Sequence, residues 1–591
     1  KHFTLQITCL HRFLKPGFMQ LSGKLSRDCL AHACAGSRSI RHAGFEKLLQ
    51  RFFFIWLALI GPAGALAGSA GQNDDGSLIA SEGMLQTLIA AEALPVLATT
   101  RLDWQSVRTF YSVRNNQPVW TYGNRLRDGA WYVIKRLTRA HEDGLLPGEY
   151  HLDEVLQNLD LAGHDAFQAV ELMLTDGVLR YIRHLRTGRL EPQAVDPKWH
   201  RRRPAVDPVV LLTAITESPS VHDALRQLTS SQAGYLRLKK LLRDYRTLDS
   251  NGGWPVVPSG EVLERGSHDQ RVQLLRRRLI LSGDLADDNY GTAFQFDANV
   301  EAAVRKFQAR HGLEEDGIVG SKTLAALNVP VSERIQQILV NMERWRWMPG
   351  ELGDRYLLVN MAGFELYAVE NGEVVMDMRV IIGRPYRSTP AFASEMNHLV
   401  FNPYWNVPHK LAILDLLPKQ QANPDYLKEG GFRVYASWER GAEELDPADI
   451  DWSAFTPINF PYRLRQDPGE SNSLGRIKFM LPNPYAVYLH DTPIRHLFQR
   501  PVRTFSSGCI RVEEPEQLAN FVLENGENTV TINVQEEIDS GEHHTRSLPR
   551  PLPVYLLYLT AWVDDKGRAQ FRDDIYGRDV LVKRAWASVT G

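Results

Sequence analysis

Apolar residues recur every three or four positions through the first half of the chain. LRDGAWYVIKRLTRA and AVELMLTDGVLRYIRHLRTG both carry that period, which predicts amphipathic helices from about Gly83 to Tyr245. Gly144 and Pro147 separate one helix from the next, and His151-Leu-Asp begins another. Asn251–Gly260, NGGWPVVPSG, interrupts the pattern. Beyond it the helical period resumes more compactly, in SHDQRVQLLRRRLILSGDL and FDANVEAAVRKFQARHGLEEDGIVGSKTLAALN. The second stretch puts Val300, Val304, Phe307 and Gln308 on one helical face. Asp316-Gly317 and Gly320 predict a tight turn, and Ser321 is placed to cap the helix of Leu324 and Leu327. From about Arg355 the period changes to two. RYLLVNMAGFELYAVENGEVVMDMRVIIG predicts a strand, a turn and hairpin strands, with breaks at Ala362-Gly363 and Asn371-Gly372. HLVFNPYWNVP, RIKFMLPN, YAVYLHD and NTVTINV read as further strands, LAILDLLPKQQANPDYLKEGG as helix, and LPVYLLYLTAWVDDKGRAQFRDDIYG as a late hairpin turning at Asp565-Lys566-Gly567.

These changes of period predict a multidomain α+β protein. A chain of 591 residues exceeds one core. The expected units are an N-terminal extension over 1–67, a linker over 68–82, a helical scaffold domain over 83–250, a small three-helix domain over 261–330, a β-rich domain over 345–538 with a helical lid insertion at about 411–451, and a C-terminal extension with the hairpin over 539–591.

Composition is that of an ordinary globular protein, with 43% hydrophobic and 23% charged residues and a net charge of −2. That balance argues against a nucleic-acid partner, and no phosphate-loop, dinucleotide or paired Cys-x-x-Cys signature occurs. The first segment differs. Residues 1–51 hold nine Lys or Arg against Asp28 and Glu46, followed by an apolar run from Phe52 to Ile60 and small residues at Ala63, Ala65 and Ala67. A basic flank, a short apolar stretch and Ala-x-Ala predict a secretory signal cut after Ala67. The run is short for a membrane span, so the membrane enters only as an uncleaved anchor. Export changes the meaning of the cysteines. Cys9, Cys29 and Cys34 precede the expected cut, which leaves Cys509 alone in an oxidising compartment, either buried and inert or chemically used.

The neighbours of Cys509 favour use. It follows Ser506-Ser507-Gly508 on what reads as a tight turn, and His490 closes a strand-like segment 19 positions earlier. A free thiol has a pKa of about 8.5, so an imidazole must take its proton or pair with the thiolate. Gly508 keeps side-chain bulk off the approach and frees backbone N–H groups for a developing oxyanion. Ser506 and Ser507 add hydroxyls, and Arg511 adds a charge able to support a thiolate or hold a substrate carboxylate. His496 reads as a solvated loop residue.

Y-x-H-D-T-P, S-S-G-C-I-R-V-E and the upstream N-S-L-G-R-I-K-F-M-L-P-N resemble the catalytic domain of the L,D-transpeptidases, in particular the large Gram-negative type with a helical scaffold. The A-V-x-x-F-Q helix followed by D-G-x-x-G resembles a peptidoglycan-binding domain over roughly Asp269–Asn328. The likeness runs from about Leu85 to Asp579. It implies Cys509 as nucleophile, His490 as general base and the Asp491 carbonyl as the third member. It also implies an oxyanion hole around Gly508 and Cys509, with Arg511 and Tyr488 shaping the site. Many members carry histidine where Ser507 stands, although the large subgroup shares the serine. Trp405 lies where it could line the donor groove or sit in the core. The resemblance further implies 3→3 crosslinking of peptidoglycan stem peptides with loss of D-alanine, no metal or cofactor, a periplasmic location, acylation by carbapenems, and contact with glycan and other cell-wall synthases. A carboxypeptidase or endopeptidase using the same thiol, and a non-catalytic wall-binding scaffold, stay open.

Overall fold

The computed structural model describes residues 74–94, 101–161, 163–286, 293–524 and 532–589, without the side chains of 74–82 and 589. The expected signal and Cys9, Cys29 and Cys34 lie outside the described residues. No described helix is long and apolar enough to cross a membrane. The expected linker over 68–82 is partly helix, because Asp74–Ala91 forms one continuous helix. Its small polar residues read as loop by composition, whereas the backbone continues into the apolar turn at Leu85 and Ile89, both buried.

The helical region is built around His164–Thr187, whose residues are buried on nearly every side. Its Glu171 carboxylate is fully buried and accepts from the backbone N–H groups of Val119, Trp120 and Thr121 and the hydroxyls of Tyr111 and Thr121. Five donors offset the cost of burying that charge. The small helical unit comprises Arg271–Leu281, Ala298–Arg310 and Ser321–Leu327 around its own core of Val272, Leu275, Val300, Val304 and Phe307. Gln308 is buried because its amide holds the turn, donating to Asp316 and the Ile318 carbonyl and accepting from the Gly317 N–H. Ser321 does not cap its helix. Gly320 takes that position and Ser321 is the first helical residue.

The β-rich region is one mixed sheet. Its strands are β1 (Arg355–Asn360), β2 (Glu365–Glu370), β3 (Glu373–Gly383), β4 (Phe392–Phe401), β5 (Ile477–Met480), β6 (Leu489–His490), β7 (Thr504–Ser506), β8 (Ile510–Val512) and β9 (His544–Leu557). Their order is β7-β3-β8-β6-β5-β4-β9-β1-β2, and a further β2–β3 pairing closes the order on itself. Alternation sends Ile477, Phe479, Leu489 and Ile510 into the core, each fully buried, and leaves the intervening residues on the opposite face.

Three expectations change. Strand β9 lies inside the sheet between β4 and β1, so residues 544–557 are not an extension of the β-rich domain but part of it. Parallel pairing with β1 is a non-local event that no local pattern announces. NTVTINV forms no strand in its described part, because Asn533 caps a helix that starts at Val534. The lid insertion is more than helix. A four-stranded sheet of 405–406, 463–466, 432–435 and 444–445 packs with short helices around Leu416, Leu427, Phe432, Val434 and Trp452. The helical region and the large sheet share one core, in which Trp199, Tyr235, Leu238 and Leu242 join Leu357, Val359 and Leu556.

Candidate active site

Parallel pairing of β6 with β8 sets His490 beside Arg511, and antiparallel pairing of β5 with β6 sets Lys478 beside His490. The three form one row across the sheet on the face away from the core. Tyr488 is two residues before His490 and Cys509 two before Arg511, so both extend that same face. Tyr488 and His490 rings lie 5.7 Å apart.

The turn before Cys509 is held by Ser506. Its buried hydroxyl donates to the Cys509 carbonyl at 2.5 Å and accepts from the Gly508 N–H at 3.1 Å. Ser506 is therefore an internal staple and not a donor to substrate. The same bond removes the Gly508 N–H from the expected oxyanion hole and leaves the Cys509 N–H, for which no acceptor is present among the described residues. Gly508 has φ +126°, a backbone state that favours glycine. Space is not the reason, since an added Cβ would meet only the Arg387 carbonyl, at 3.9 Å. Gly383 is the crowded position, where a Cβ would lie 2.2 Å from that carbonyl and 3.1 Å from Gly508 Cα. Thr389 completes the support, donating to the Gly508 carbonyl and accepting from the Gly383 N–H, each at 2.9 Å. Arg578, near the C-terminus, donates to the Thr389 carbonyl at 2.9 Å.

His490 is 4% exposed and its Nδ1 lies 2.5 Å from the Asp491 carbonyl oxygen. Nδ1–H donates there, which fixes the tautomer with the lone pair on Nε2. Burial, then the Arg511 and Lys478 charges, pull the imidazole down to about 3, so it is neutral at working pH. The Asp491 carboxylate is occupied elsewhere, accepting from the Arg476 N–H and from Arg495. Gly475 makes room for it, since a Cβ there would touch that carboxylate at 2.2 Å.

Cys509 is half-buried and free. Burial pushes its thiol up, while the N–H and hydroxyl of Tyr488 and the charges of Lys478 and Arg511 pull the other way. The sulfur points at the Ala486 carbonyl, 3.7 Å away, and no hydrogen bond joins it to His490 among the described residues. The resting pair is thus a neutral thiol and a neutral imidazole on diagonal positions of one face. Tyr488 stays protonated, since burial and the adjacent thiol raise it well above its usual value.

Ser507 is exposed and accepts from Arg387 at 3.0 Å; the same guanidinium grips Asp415 of the insertion at 2.5 and 2.9 Å. Trp405 packs on the small sheet, 6.0 Å from the Phe432 ring, and so belongs with that core. His496 is exposed. Sequence reasoning missed Lys478, Arg387 and Thr389. Lys478 alternates with Ile477 and Phe479, which gives its face, but only the register brings it to the thiol. Among the described residues no His, Cys, Asp and Glu cluster is spaced to hold a metal.

The fold and the thiol face define a multidomain α+β protein with a cysteine site on a β-rich domain. Residues 354–533 match the L,D-transpeptidase catalytic domain (YkuD), residues 105–242 the scaffold domain, and residues 268–327 the family described as "Putative peptidoglycan binding domain". The chain carries the YkuD-type L,D-transpeptidase catalytic domain together with those two domains. It is 38% identical over 252 residues to a Haemophilus influenzae protein named "Putative L,D-transpeptidase", which covers 42% of this chain and 49% of that protein. The chain thus spans about half the length of the curated relative it matches. L,D-transpeptidase structures from Xylanimonas cellulosilytica (15% identity, 51% of this chain, 99% of that one, TM-score 0.16) and Stackebrandtia nassauensis (14%, 51%, 96%, TM-score 0.20) are also similar, too distantly to carry an argument.

Proposed function

We propose that this protein crosslinks peptidoglycan through an acyl-enzyme on Cys509. The observation that carries the reading is the neutral His490 imidazole, oriented by the Asp491 carbonyl, on the same sheet face as Cys509, the one cysteine among the described residues. Cys509 attacks the carbonyl between the L-centre of diaminopimelate and the terminal D-alanine of a tetrapeptide stem. A rotation of the side chain away from Ala486 brings the thiol proton to Nε2, and the imidazolium returns it to the departing D-alanine amine. With both groups neutral at rest, transfer is by general base and not through a preformed ion pair. The Cys509 N–H and the Tyr488 hydroxyl are the available donors for the oxyanion. The thioester is resolved by the side-chain amine of a second stem, giving a 3→3 crosslink, or by water, giving a tripeptide.

The substrate requires a location outside the cytoplasm, in keeping with the N-terminal signal read from the sequence, and carbapenems should acylate Cys509. The test is mass spectrometry of products from a disaccharide-tetrapeptide. Dimer with loss of D-alanine, absent with Cys509→Ala, supports transpeptidation. Tripeptide without dimer moves the assignment to carboxypeptidase. No product, with no mass added by meropenem, overturns the catalytic reading.

A further inference from the structure

Three cations near the thiol lack a counter-charge. Lys478 and Arg511 stand in the row on either side of His490, and Arg384 follows β3, with its N–H on the Ser506 carbonyl at 3.0 Å. None of the three side chains has a carboxylate or hydrogen-bond partner among the described residues, and Arg511 Nε is buried without an acceptor. Lys478 Nζ lies over the Tyr488 ring, 4.0 Å from its centroid. Their neighbours differ: Arg379 holds Glu513, Arg387 holds Asp415 and Arg495 holds Asp491. Half-buried positive charge without a partner is costly, and here it is concentrated beside one thiol. A thiolate would offset one charge of three.

We propose that Lys478 is a specificity-determining residue which, with Arg511, seats the free carboxylate of the substrate's terminal residue beside the carbonyl that Cys509 attacks. This rests on the transpeptidase reading. In a tetrapeptide stem that carboxylate belongs to the leaving D-alanine. It lies one residue beyond the scissile bond, a reach of about 3.6 Å or less. Lys478 and Arg511 flank His490 in the row of the sheet face to which the Cys509 thiol belongs, on neighbouring strands. A stem already crosslinked through its fourth residue offers no carboxylate there, so the seat selects against opening such crosslinks. The bound anion also offsets two of the charges beside His490, which favours proton uptake by the imidazole when substrate is present.

The test compares alkylation of Cys509 by iodoacetate and iodoacetamide in the full chain and in Lys478→Met. The expected result is a fall of about tenfold in the iodoacetate-to-iodoacetamide rate ratio in Lys478→Met, over and above any slowing common to both reagents from loss of a cation near the thiol, with Lys478→Arg restoring the ratio. In parallel, the tetrapeptide should have a lower KM than its C-terminal amide in the wild type, and lose that advantage in Lys478→Met. An unchanged ratio in a variant that melts with the wild type overturns the proposal, as does equal slowing by both reagents, which would make Lys478 a support of the thiolate alone. Charge-selective alkylation without turnover of any stem would keep the anion seat and sink the transpeptidase reading instead.

Discussion

Ser506→Ala separates two accounts of the nucleophile turn. If Ser506 donates to substrate, removing its hydroxyl slows turnover and leaves the thiol's intrinsic reactivity alone. If it is a staple, both change. The structure gives the hydroxyl two bonds inside the turn, to the Cys509 carbonyl at 2.5 Å and from the Gly508 N–H at 3.1 Å. Each is worth about 0.5–1.5 kcal/mol net, so the reactive conformation loses about 1–3 kcal/mol against its alternatives. At about 1.4 kcal/mol per tenfold, that is a slowing of roughly 5- to 150-fold. The sheet beneath does not depend on this bond, so the melting temperature should move little. The assay is the rate of iodoacetamide alkylation at Cys509 alongside D-alanine release. Both should fall in Ser506→Ala, and Ser506→Thr, which retains a hydroxyl, should recover part of each. Alkylation at the wild-type rate with impaired release would refute the staple and restore the substrate-donor account.

Gly508→Ala should cost about 1–3 kcal/mol through its φ of +126° alone, read as lost D-alanine release without a steric clash; wild-type release would show that the turn tolerates a side chain. Gly475→Ala drives a Cβ into the Asp491 carboxylate and should lower the melting temperature more than Gly508→Ala does; equal or smaller loss contradicts the packing. Asp415→Asn weakens the grip of Arg387, so a bulky maleimide should reach Cys509 faster than in the wild type; an unchanged rate means that this contact does not restrain the insertion. His490, with an ordinary value of 6.5 lowered to about 3, is protonated first in the unfolded chain. Its contribution to stability is complete above pH 6.5 and declines as pH falls towards 3, and His490→Gln should flatten that part of the melting-temperature profile. Because burial raises the thiol, alkylation of Cys509 should keep rising with pH past the ordinary thiol value, with no inflection near 6.5.

The candidate chemistry was legible locally. A lone cysteine after glycine, a histidine closing a strand and the words around them carry their meaning in a few consecutive residues, as does the change from helical to alternating period near Arg355. Gln308 illustrates a residue whose face was readable and whose task, holding the turn at Gly317, was not. The errors share a cause. Strand β9 was taken for an extension because its partners, β4 and β1, are about 150 and 200 residues away in the chain, and a strand says nothing of what it pairs with. The insertion's small sheet was missed because its strands are two to four residues long, too short for a period to register. Ser506 read only as an added hydroxyl at the site, because sequence names the group without its direction. By itself the sequence determined which residue types could do the chemistry and which face of each element is apolar, since both follow from side-chain identity and backbone period. Only the tertiary structure decided that Lys478, His490 and Arg511 form one row beside Cys509, because strand register between distant segments is set by how their buried faces pack together.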